Sequence, residues 1–371
     1  MKIINIVGAR PNFIKIAPIM RQMRKSSIIE PILLHTGQHY DIEMSKQFFE
    51  ELNIPSPDIS LEVGSDTHAK QVACIMERFD DVCDNQKPDG ILVVGDVNST
   101  MACSLVAAKK GIKIIHVEAG IRSFDREMPE EINRMVTDAI TDLLLPPSRD
   151  AVDNLLREGH PVSKIHLVGN IMIDTLMDSQ PQIMKSEILR QLGIEERKYA
   201  LVTLHRPSNV DNISDFKRIL LALAKIQERL PIVFPVHPRT RKILDDPELK
   251  VITGNMPGLV LCDPLGYFDF GRLVSGCRMV ITDSGGIQEE STVYGIPCIT
   301  IRENTERPIT LWEGTNELAG TDTAKIINFA EQILDGKWKT GKIPELWDGH
   351  TAERIIACIE KELTPHPIST I

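Results

Sequence analysis

Several features that mark particular protein classes are missing from this 371-residue sequence. It has no basic excess, because its formal net charge is −10, and it therefore offers no electrostatic footprint for nucleic acid or an anionic membrane. No window approaches the ~20 apolar residues of a membrane-spanning helix. A polyanionic ligand would have to be held by local arginines and helix N-termini.

Paired cysteine spacings are also missing. The seven cysteines form no CxxC motif and are scattered in apolar surroundings. We therefore favour buried free thiols in a reducing cytoplasm over disulfides or a zinc site. The N-terminal MKIINIVG is typical of a strand rather than a signal peptide, since its apolar stretch is short and Arg10 and Pro11 follow at once.

Short apolar runs alternate with amphipathic stretches along the whole chain. The runs fall into two series, at residues 2–7, 31–36, 90–95, 112–117, 142–147 and 164–169, and then at 199–205, 231–237, 258–263, 278–283 and 297–302. Such alternation is typical of βαβ units and predicts an α/β protein with parallel sheets. The piece between the series, roughly 170–198, has no strand-like run and is interpreted as an inter-domain connection.

The two series predict two Rossmann-like domains. We place them at residues 1–170 and 171–350, followed by a C-terminal helix and tail at 351–371. That last segment could pack anywhere, including back on the first domain. A ligand cleft between the domains, lined by strand ends from both, is the expected geometry.

The first strand ends in GARPNFIK and not in a dinucleotide fingerprint. The second and third glycines of GxGxxG are missing, which disfavours an NAD-dependent oxidoreductase. What remains is a tight turn, a helix start at Pro11, and Arg10 beside free backbone N–H groups, which suits a phosphate or carboxylate. A simple ion pair of Arg10 with a surface acid explains the motif equally well.

Acidic residues follow two strands of the first half and open a helix. Asp96 follows GILVVG, Glu118 follows IIHV, and Glu130 comes directly after Pro129. Taken singly, each has a structural explanation as a cap or as an acid at the positive end of a helix. Three carboxylates converging on one rim would instead raise one another's pKa values and supply a proton donor and an acceptor near neutrality.

The most specific stretch of the second half is RMVITDSGGIQEE. A buried strand runs into Ser284, Gly285 and Gly286, whose small size lets the backbone approach a ligand, and the following helix directs its N-terminal amides at it. This predicts a phosphate cradle without a lysine. Glu289 and Glu290 are expected in the first turn, where one of them can reach ribose hydroxyls or simply compensate the helix dipole.

Two strand ends of the second half carry histidines. LHRPSNV repeats the pattern of strand, basic loop and helix with His205, and FPVHPRTR places His237 at another strand end. A lone histidine at such a position is structural more often than not.

Together these motifs resemble the non-hydrolysing UDP-N-acetylglucosamine 2-epimerases, enzymes of the GT-B fold. The resemblance covers nearly the whole chain, from GARPNFIK through TGQHYD, GDVNST, VEAGIRS, PEEINR, VGN, LHR, PVHP, TDSGGIQEE and TERP. It implies interconversion of UDP-N-acetylglucosamine and UDP-N-acetylmannosamine by anti elimination of UDP to a 2-acetamidoglucal, followed by re-addition of UDP. It also implies a homodimer that needs no metal, nicotinamide or other cofactor.

The resemblance also assigns roles to residues. The implied catalytic residues are Asp96, Glu118, Glu130 and His205, the histidine stabilising charge on the pyrophosphate. The implied UDP-sugar contacts are Arg10, Lys15, His237, Phe270, Ser284, Gly285, Gly286, Glu290 and Arg307. Among these, Phe270 would stack on uracil and Glu290 would bind the ribose. Which acid serves which face of the sugar stays open.

The other charged residues of VEAGIRSFDREMPEEINR are given supporting roles. We expect Glu118 and Glu130, the implied catalytic acids of this stretch, to form ion pairs with Arg122 and Arg134. Asp125 and Glu131 are expected to be ordinary surface or capping acids.

One motif departs from the family pattern. Some members carry glutamine-histidine-x-x-x-methionine and bind a second UDP-sugar as an activator, whereas Gln38-His39 here is separated from Met44 by one residue more. The resemblance therefore does not extend to activation by substrate. Members with the TGQHYD form also include epimerases of diacetamido-uronates and deoxyhexoses, which are the alternative substrates.

Three other functions compete with this one. A GT-B glycosyltransferase would use a similar Gly-Gly and ribose-binding Glu but has less need of three carboxylates in the first domain. A hydrolysing 2-epimerase is disfavoured because no fused kinase domain accompanies the 371 residues. A non-enzymatic UDP-sugar sensor would not need the proton-transfer candidates.

Overall fold

The structure, a computed structural model, describes residues 1–37 and 56–363, apart from the side chain of Arg10. The chain divides into two compact units, Met1–Asp178 with the chain from Glu345 onward, and Ser179–Pro344. The segment with Gln38, His39 and Met44 lies outside the described residues.

The first unit is built on a six-stranded sheet. Its strands are β1 (Lys2–Val7), β2 (Glu30–His35), β3 (Ile59–Ser60), β4 (Gly90–Val94), β5 (Lys113–Val117) and β6 (Leu143–Leu145). They pair in the order β3-β2-β1-β4-β5-β6, and every pair is parallel. The central strands are almost wholly buried, as continuous Val, Ile and Leu runs predict for a parallel sheet covered on both faces.

The second unit repeats this plan. Its strands are β7 (Ala200–Thr203), β8 (Ile232–Pro235), β9 (Leu259–Cys262), β10 (Met279–Thr282), β11 (Cys298–Thr300) and β12 (Asn316–Leu318). They are all parallel and pair in the order β12-β11-β10-β7-β8-β9. In each unit the first and fourth strands are therefore neighbours at the centre of the sheet.

Helices connect the strands. The helices of the described residues are α1 (Arg10–Met23), α2 (His68–Gln86), α3 (Asn98–Lys110), α4 (Pro129–Ile140), α5 (Arg149–Arg157), α6 (Ile171–Ile183), α7 (Ile188–Gln191), α8 (Pro207–Val210), α9 (Ile213–Ile226), α10 (Pro238–Leu244), α11 (Pro247–Gly254), α12 (Tyr267–Gly276), α13 (Gly285–Val293), α14 (Ile309–Trp312), α15 (Thr323–Leu334) and α16 (Thr351–Leu363), with a 3₁₀ turn at Val162–Lys164. Proline opens α4, α8, α10 and α11 at the position where its missing N–H costs nothing.

The last helix belongs to the first unit and packs on α1. Its first N–H groups, of Thr351 and Ala352, donate to the buried carboxylate of Asp174 at 3.1 and 2.7 Å. Just before it, the buried indole of Trp347 donates to the carbonyl of Pro147 at 3.1 Å. The segment is thus fixed by its own cap and by a core aromatic residue.

The predicted α/β fold with two parallel sheets is confirmed, with local exceptions. The strand predicted at 164–169 is wrong, because only Ile165 forms a bridge, to Leu144. The short edge strands β3 and β12 were not predicted. All seven cysteines are free thiols, four of them buried. None of the helices in the described part of the chain is both long and apolar enough to span a bilayer.

Candidate active site

The candidate residues of the first unit lie where β1, β4 and β5 end. The order β3-β2-β1-β4-β5-β6 makes the β1/β4 boundary the point where the chain switches direction across the sheet, and such a point leaves a crevice at the carboxyl ends of the strands. Gly95 and Asp96 follow β4, and Glu118 follows β5.

Asn12 joins the ends of β1 and β4. Its Oδ1 accepts the N–H groups of Gly8 and Ala9 at 3.2 and 2.9 Å, and its Nδ2 donates to the carbonyl of Val94 at 2.9 Å. The turn after the first strand is therefore locked to the neighbouring strand. This role of Asn12 was not predicted, although an asparagine three residues after the helix N-cap is a recognisable capping signal.

Lys15 is the ion partner of Glu118. The two buried side chains meet at 2.5 Å, from Nζ to Oε2. Gly95 makes room for this pair, since a Cβ there would lie 3.3 Å from Lys15 Nζ and 3.5 Å from Glu118 Oε2, and its φ of 72° suits glycine. Glu118 also has a φ of 72°, a conformation that costs a non-glycine residue about 1–3 kcal/mol and is typical of functional sites.

Asp96 is paired with Arg134. The guanidinium contacts Asp96 Oδ2 at 2.5 Å through one nitrogen and Glu131 Oε2 at 2.7 and 2.9 Å through two others. Asn133, the residue before Arg134, donates to the backbone carbonyl of Asp96 at 2.8 Å. One turn of α4 thus fixes both the backbone and the side chain of Asp96.

The predicted ion partners are wrong. Arg134 pairs with Asp96 and Glu131, and Arg122 pairs with Asp138 at 2.7 Å and Glu158 at 2.6 Å. Other carboxylates are nearer because α4 lies against the ends of β4 and β5, where Asn133 donates to the Asp96 carbonyl and Asp138 accepts the N–H of Gly120.

Glu131 was also predicted wrongly as a surface or capping acid. It is buried and accepts the N–H groups of Ser123 and Phe124 at 3.0 and 2.9 Å. Burial alone would raise the pKa of Glu131, but the Ser123 N–H and the Arg134 guanidinium outweigh it and hold the pKa below its ordinary value. Glu131 therefore fixes the loop that precedes α4.

The three acids predicted as a cluster have different surroundings. Glu118 and Asp96 follow adjacent strands, and each contacts its own cation. Glu130 is exposed at the start of α4, and within the described residues it forms no ion pair. The structure thus brings two of the acids to one sheet edge and leaves the third on the surface of a nearby helix.

The candidate residues of the second unit surround the end of β10. The buried carboxylate of Asp283 accepts the backbone N–H groups of His205 and Arg206 at 3.0 and 2.9 Å and the Asn209 amide at 3.1 Å. Its other oxygen lies 2.9 Å from Nδ1 of His205. Burial would raise the pKa of Asp283, but the hydrogen bond with His205 and its companions lower it. Sequence analysis gave Asp283 no role beyond its place in the motif.

His237 lies near His205 at the end of the neighbouring strand, β8. The ring centroids are 6.3 Å apart. His237 Nδ1 accepts the N–H of Arg239 at 3.2 Å and so caps α10. Because Nδ1 is an acceptor, a neutral His237 ring carries its proton on Nε2. His237 therefore has a structural role, as a lone histidine usually does, and in addition a nitrogen suited to an anion.

The glycine-rich turn leads straight into a helix. Ser284 is the N-cap of α13, and Gly285 and Gly286 are its first two residues. A Cβ on Gly285 would meet no described atom within 4 Å, so the surrounding protein does not require glycine there. The side-chain-free surface at this N-terminus leaves backbone amides accessible to an anion.

The two glutamates of this helix are not in its first turn, contrary to the prediction, because the helix already begins at Gly285. Glu289 pairs with Arg307, Oε1 to Nε, at 2.5 Å, and this contact anchors the TERP loop to α13. Glu290 is buried, and burial together with the neighbouring Glu289 carboxylate raises the pKa of Glu290 to about 8. A carboxyl group that is neutral at pH 7 can donate as well as accept a hydrogen bond.

Phe270 lies on α12 and is half-buried. It packs against a hydrophobic cluster that includes Tyr199, Leu273 and Val274. Part of its side chain is therefore used in the core of the second unit. The predicted contact of Arg10 concerns a side chain outside the described part of the structure.

The chain was compared with known proteins. A sequence model of the family described as UDP-N-acetylglucosamine 2-epimerase matches residues 21–360. A protein of Methanococcus maripaludis named as a UDP-N-acetylglucosamine 2-epimerase homolog is 44% identical over 88% of this chain and 91% of its own. The UDP-N-acetylglucosamine 2-epimerase of Methanocaldococcus jannaschii is 41% identical over 96% of this chain and 98% of its own.

A solved structure extends the similarity to three dimensions. The crystal structure of the Methanocaldococcus jannaschii UDP-GlcNAc 2-epimerase in complex with UDP-GlcNAc and UDP superposes with a TM-score of 0.88 at 40% identity, covering 97% of this chain and 100% of that one. Sequence and fold therefore agree over almost the full length of both proteins. The chain belongs to the UDP-N-acetylglucosamine 2-epimerase family.

Proposed function

We propose that this protein is a non-hydrolysing 2-epimerase that interconverts UDP-N-acetylglucosamine and UDP-N-acetylmannosamine. The observation that carries the proposal is the placement of Asp96 and Glu118 at adjacent strand ends, each with its own cation at 2.5 Å. Inversion at C2 requires removal of a proton from one face of the sugar and return of a proton to the other. Two carboxylates held separately, by Lys15 and Arg134, suit that requirement.

The reaction is written as an elimination and its reverse. A carboxylate takes the C2 proton while the C1–O bond breaks, and the bonding pair leaves with UDP. The products of this step are a 2-acetamidoglucal and UDP. Protonation of C2 on the opposite face and re-addition of the UDP oxygen to C1 then give the epimer. Asp96, Glu118 and the exposed Glu130 are the proposed proton-transfer groups, and Lys15 is the ion partner of Glu118.

The leaving group needs a stabilised pyrophosphate, and the second unit offers suitable donors. The N-terminal amides of α13 at Ser284, Gly285 and Gly286 are the proposed phosphate contacts. Asp283 engages Nδ1 of His205, which leaves Nε2 as the nitrogen available to a departing oxygen. His237, by way of Nε2, is a further donor.

The remaining proposed contacts concern the nucleoside. Glu290 is proposed to bind the ribose, Phe270 to stack on uracil, and Arg307 to lie near the nucleotide, with Arg10 at the phosphates. The contact between Arg307 and Glu289 supports the placement of Arg307, because it fixes the arginine beside the proposed phosphate-binding helix.

The proposed site of action is a reducing cytoplasm, which the seven free thiols support. We also propose that the protein is a homodimer, which sedimentation velocity would test.

The test is proton NMR of the purified protein with UDP-N-acetylglucosamine in deuterated water, with EDTA present and no nicotinamide added. We expect the anomeric signal of UDP-N-acetylmannosamine to appear and deuterium to enter C2. Free N-acetylmannosamine would indicate the hydrolysing reaction instead. An unchanged spectrum would refute the proposal for this substrate, and the same assay with a UDP-diacetamido-uronate would then test the alternative.

A further inference from the structure

A second pair of buried ionisable groups lies directly behind the proposed carboxylates and takes no part in the chemistry above. His116 on β5 and Asp138 on α4 are both fully buried, and His116 Nδ1 lies 2.6 Å from Asp138 Oδ1. A buried ion pair contributes little net stability, because desolvation offsets the attraction between the charges. Stability alone therefore does not account for this pair.

The second nitrogen of His116 contacts the loop that follows β4. Nε2 lies 2.9 Å from the backbone carbonyl oxygen of Gly95. A carbonyl oxygen only accepts hydrogen bonds, so Nε2 is the donor in this contact. Nδ1 faces the Asp138 carboxylate.

Asp138 has the complementary environment. Its Oδ2 accepts the N–H of Gly120 at 3.0 Å and contacts the Arg122 guanidinium at 2.7 Å. Burial would raise the pKa of Asp138, but His116 and Arg122 lower it. Arg122 in turn pairs with Glu158.

These contacts reach the backbone on both sides of the proposed site. Gly95 immediately precedes Asp96, while Gly120 follows Glu118 by two residues and His116 precedes it by two. One end of the ion pair thus holds the loop after β4, and the other holds the loop after β5.

The Gly120 end is further restricted. A Cβ on Gly120 would lie 2.3 Å from the carbonyl oxygen of Ala151, and the Gly120 carbonyl accepts from Asn154 at 2.9 Å. The loop after Glu118 therefore cannot move with Asp138 or His116 if either side chain shifts. A change in the link between His116 and Gly95 would therefore act on the Gly95 peptide, directly before Asp96, whose own carbonyl and carboxylate are held by Asn133 and Arg134.

We propose that His116 is a positioning residue, whose ring Nε2–H holds the Gly95 carbonyl and thereby sets the spacing between the Asp96 and Glu118 carboxylates, with Asp138 holding the ring through Nδ1. The proposal rests on the proposed epimerase function. It concerns the placement of the reacting groups and predicts an effect on turnover, with no effect on nucleotide binding.

Two isosteric variants separate the two hydrogen bonds of His116. In His116→Asn the side-chain amide lies near the Nδ1 position and retains a donor for Asp138, whereas in His116→Gln it reaches the Nε2 position and retains a donor for Gly95. We expect kcat to fall about 10²-fold in His116→Asn, as about 1 Å of misplacement of reacting groups can cause. His116→Gln should stay within about tenfold of wild type, while the KM and the Kd for UDP change by less than about threefold in both variants.

A primary isotope effect distinguishes positioning from a purely structural role of His116, because loss of stability alone would not change it. With UDP-N-acetylglucosamine deuterated at C2, the effect on kcat should rise in His116→Asn, since proton transfer becomes slower than the other steps. The control is Asp142→Asn, at the other end of β5, where the carboxylate accepts from Lys113 Nζ at 2.9 Å and the Ile114 N–H at 3.1 Å. Asp142→Asn should lower the melting temperature and leave kcat and the isotope effect unchanged.

The outcomes are distinct. If wild type does not epimerise the substrate, the proposed function fails. If wild type is active and both His116 variants keep its kcat while melting earlier, or if His116→Gln falls as far as His116→Asn, the positioning role is overturned. Should neither variant fold, ¹H–¹⁵N NMR of histidine-labelled wild type decides, because the buried Nε2–H of His116 should exchange slowly with solvent, and a His116 ring without a proton on Nε2 overturns the proposal.

Discussion

Asp283 Oδ1 lies 2.9 Å from His205 Nδ1, and this contact joins the ends of the two central strands of the second sheet. Asp283 follows β10 and His205 follows β7, so the pair sits at the point where the sheet switches direction. The carboxylate also accepts the backbone N–H of His205, which fixes the residue twice. His205 is thereby oriented before any ligand binds.

Replacing Asp283 by asparagine should lower both the unfolding free energy and the turnover rate. We expect Asp283→Asn to lose about 1.5–3 kcal/mol of unfolding free energy at pH 7, because an amide cannot replace a carboxylate that accepts from several donors. The folded pKa of Asp283 is lowered from 3.8, so its contribution is present above that pH and disappears as the pH falls through the folded value. Urea unfolding at pH 7 and at pH 3 should show the difference between wild type and variant narrowing at pH 3. An equal difference at both pH values would contradict this account.

Lys15→Met should destabilise the fold, because it removes the lysine partner of the buried Glu118 carboxylate. Removing one partner of a buried pair typically costs about 3–5 kcal/mol, since the other charge loses the attraction that offset its desolvation. The double variant Lys15→Met/Glu118→Leu should recover a large part of that loss, and denaturant unfolding of both variants measures it. Equal stabilities of the single and the double variant would show that the 2.5 Å contact carries no coupling.

Glu118→Gln should abolish turnover with a modest loss of UDP affinity. The substitution removes a proposed proton-transfer group and leaves the glycine-rich turn of the second unit intact. Steady-state kinetics and calorimetric titration with UDP provide the two numbers. Near-normal turnover in a correctly folded variant would remove Glu118 from the mechanism.

Gly285→Ala tests whether that glycine serves a ligand. An added methyl group would meet no described atom within 4 Å, so the melting temperature should change little, whereas UDP affinity should fall because the methyl group stands over the helix amides. Gly120→Ala is the contrasting variant, because its Cβ would lie 2.3 Å from the Ala151 carbonyl oxygen and should destabilise the fold. Unchanged UDP affinity in Gly285→Ala would place the phosphates elsewhere.

Glu290 gives a pH dependence of the opposite sign to that of Asp283. Its pKa rises from 4.5 to about 8 on folding, so its contribution to stability is complete below 4.5 and is lost as the pH rises toward 8. Glu290→Gln should therefore show a smaller decline in unfolding free energy than wild type between pH 5 and pH 8. Parallel curves for the two proteins would contradict the assigned protonation state.

The sequence predicted the fold well because its dominant signal is local. Continuous apolar runs such as residues 90–95 mark buried parallel strands, and glycine and proline mark the turns between them. The two-residue strand Ile59–Ser60 and the run at 164–169 show the limit of this signal. At a sheet edge, the neighbouring strand decides whether a segment pairs, and the apolar run of the segment carries no information about that pairing.

Side-chain partners could not be predicted in the same way. Lys15 and Glu118 are 103 residues apart in the sequence and meet only because β1 and β5 flank the same strand. Arg134 is nearer to Glu130 in the sequence but contacts Asp96, since the backbone direction at the start of α4 decides which acid it reaches. Motifs single out candidate residues, whereas the contacts of those residues depend on distances that only the assembled sheet defines.

The discontinuity of the first unit has a consequence for synthesis on the ribosome. Residues from Glu345 onward belong to that unit but are translated after Ser179–Pro344, so the second unit can complete its fold while the first still lacks its last helix. Until Trp347 and helix α16 emerge, the Asp174 carboxylate and the apolar surface that they cover stay exposed to solvent. The first unit to be translated is therefore the last to close, and the nascent chain must stay unaggregated through that interval.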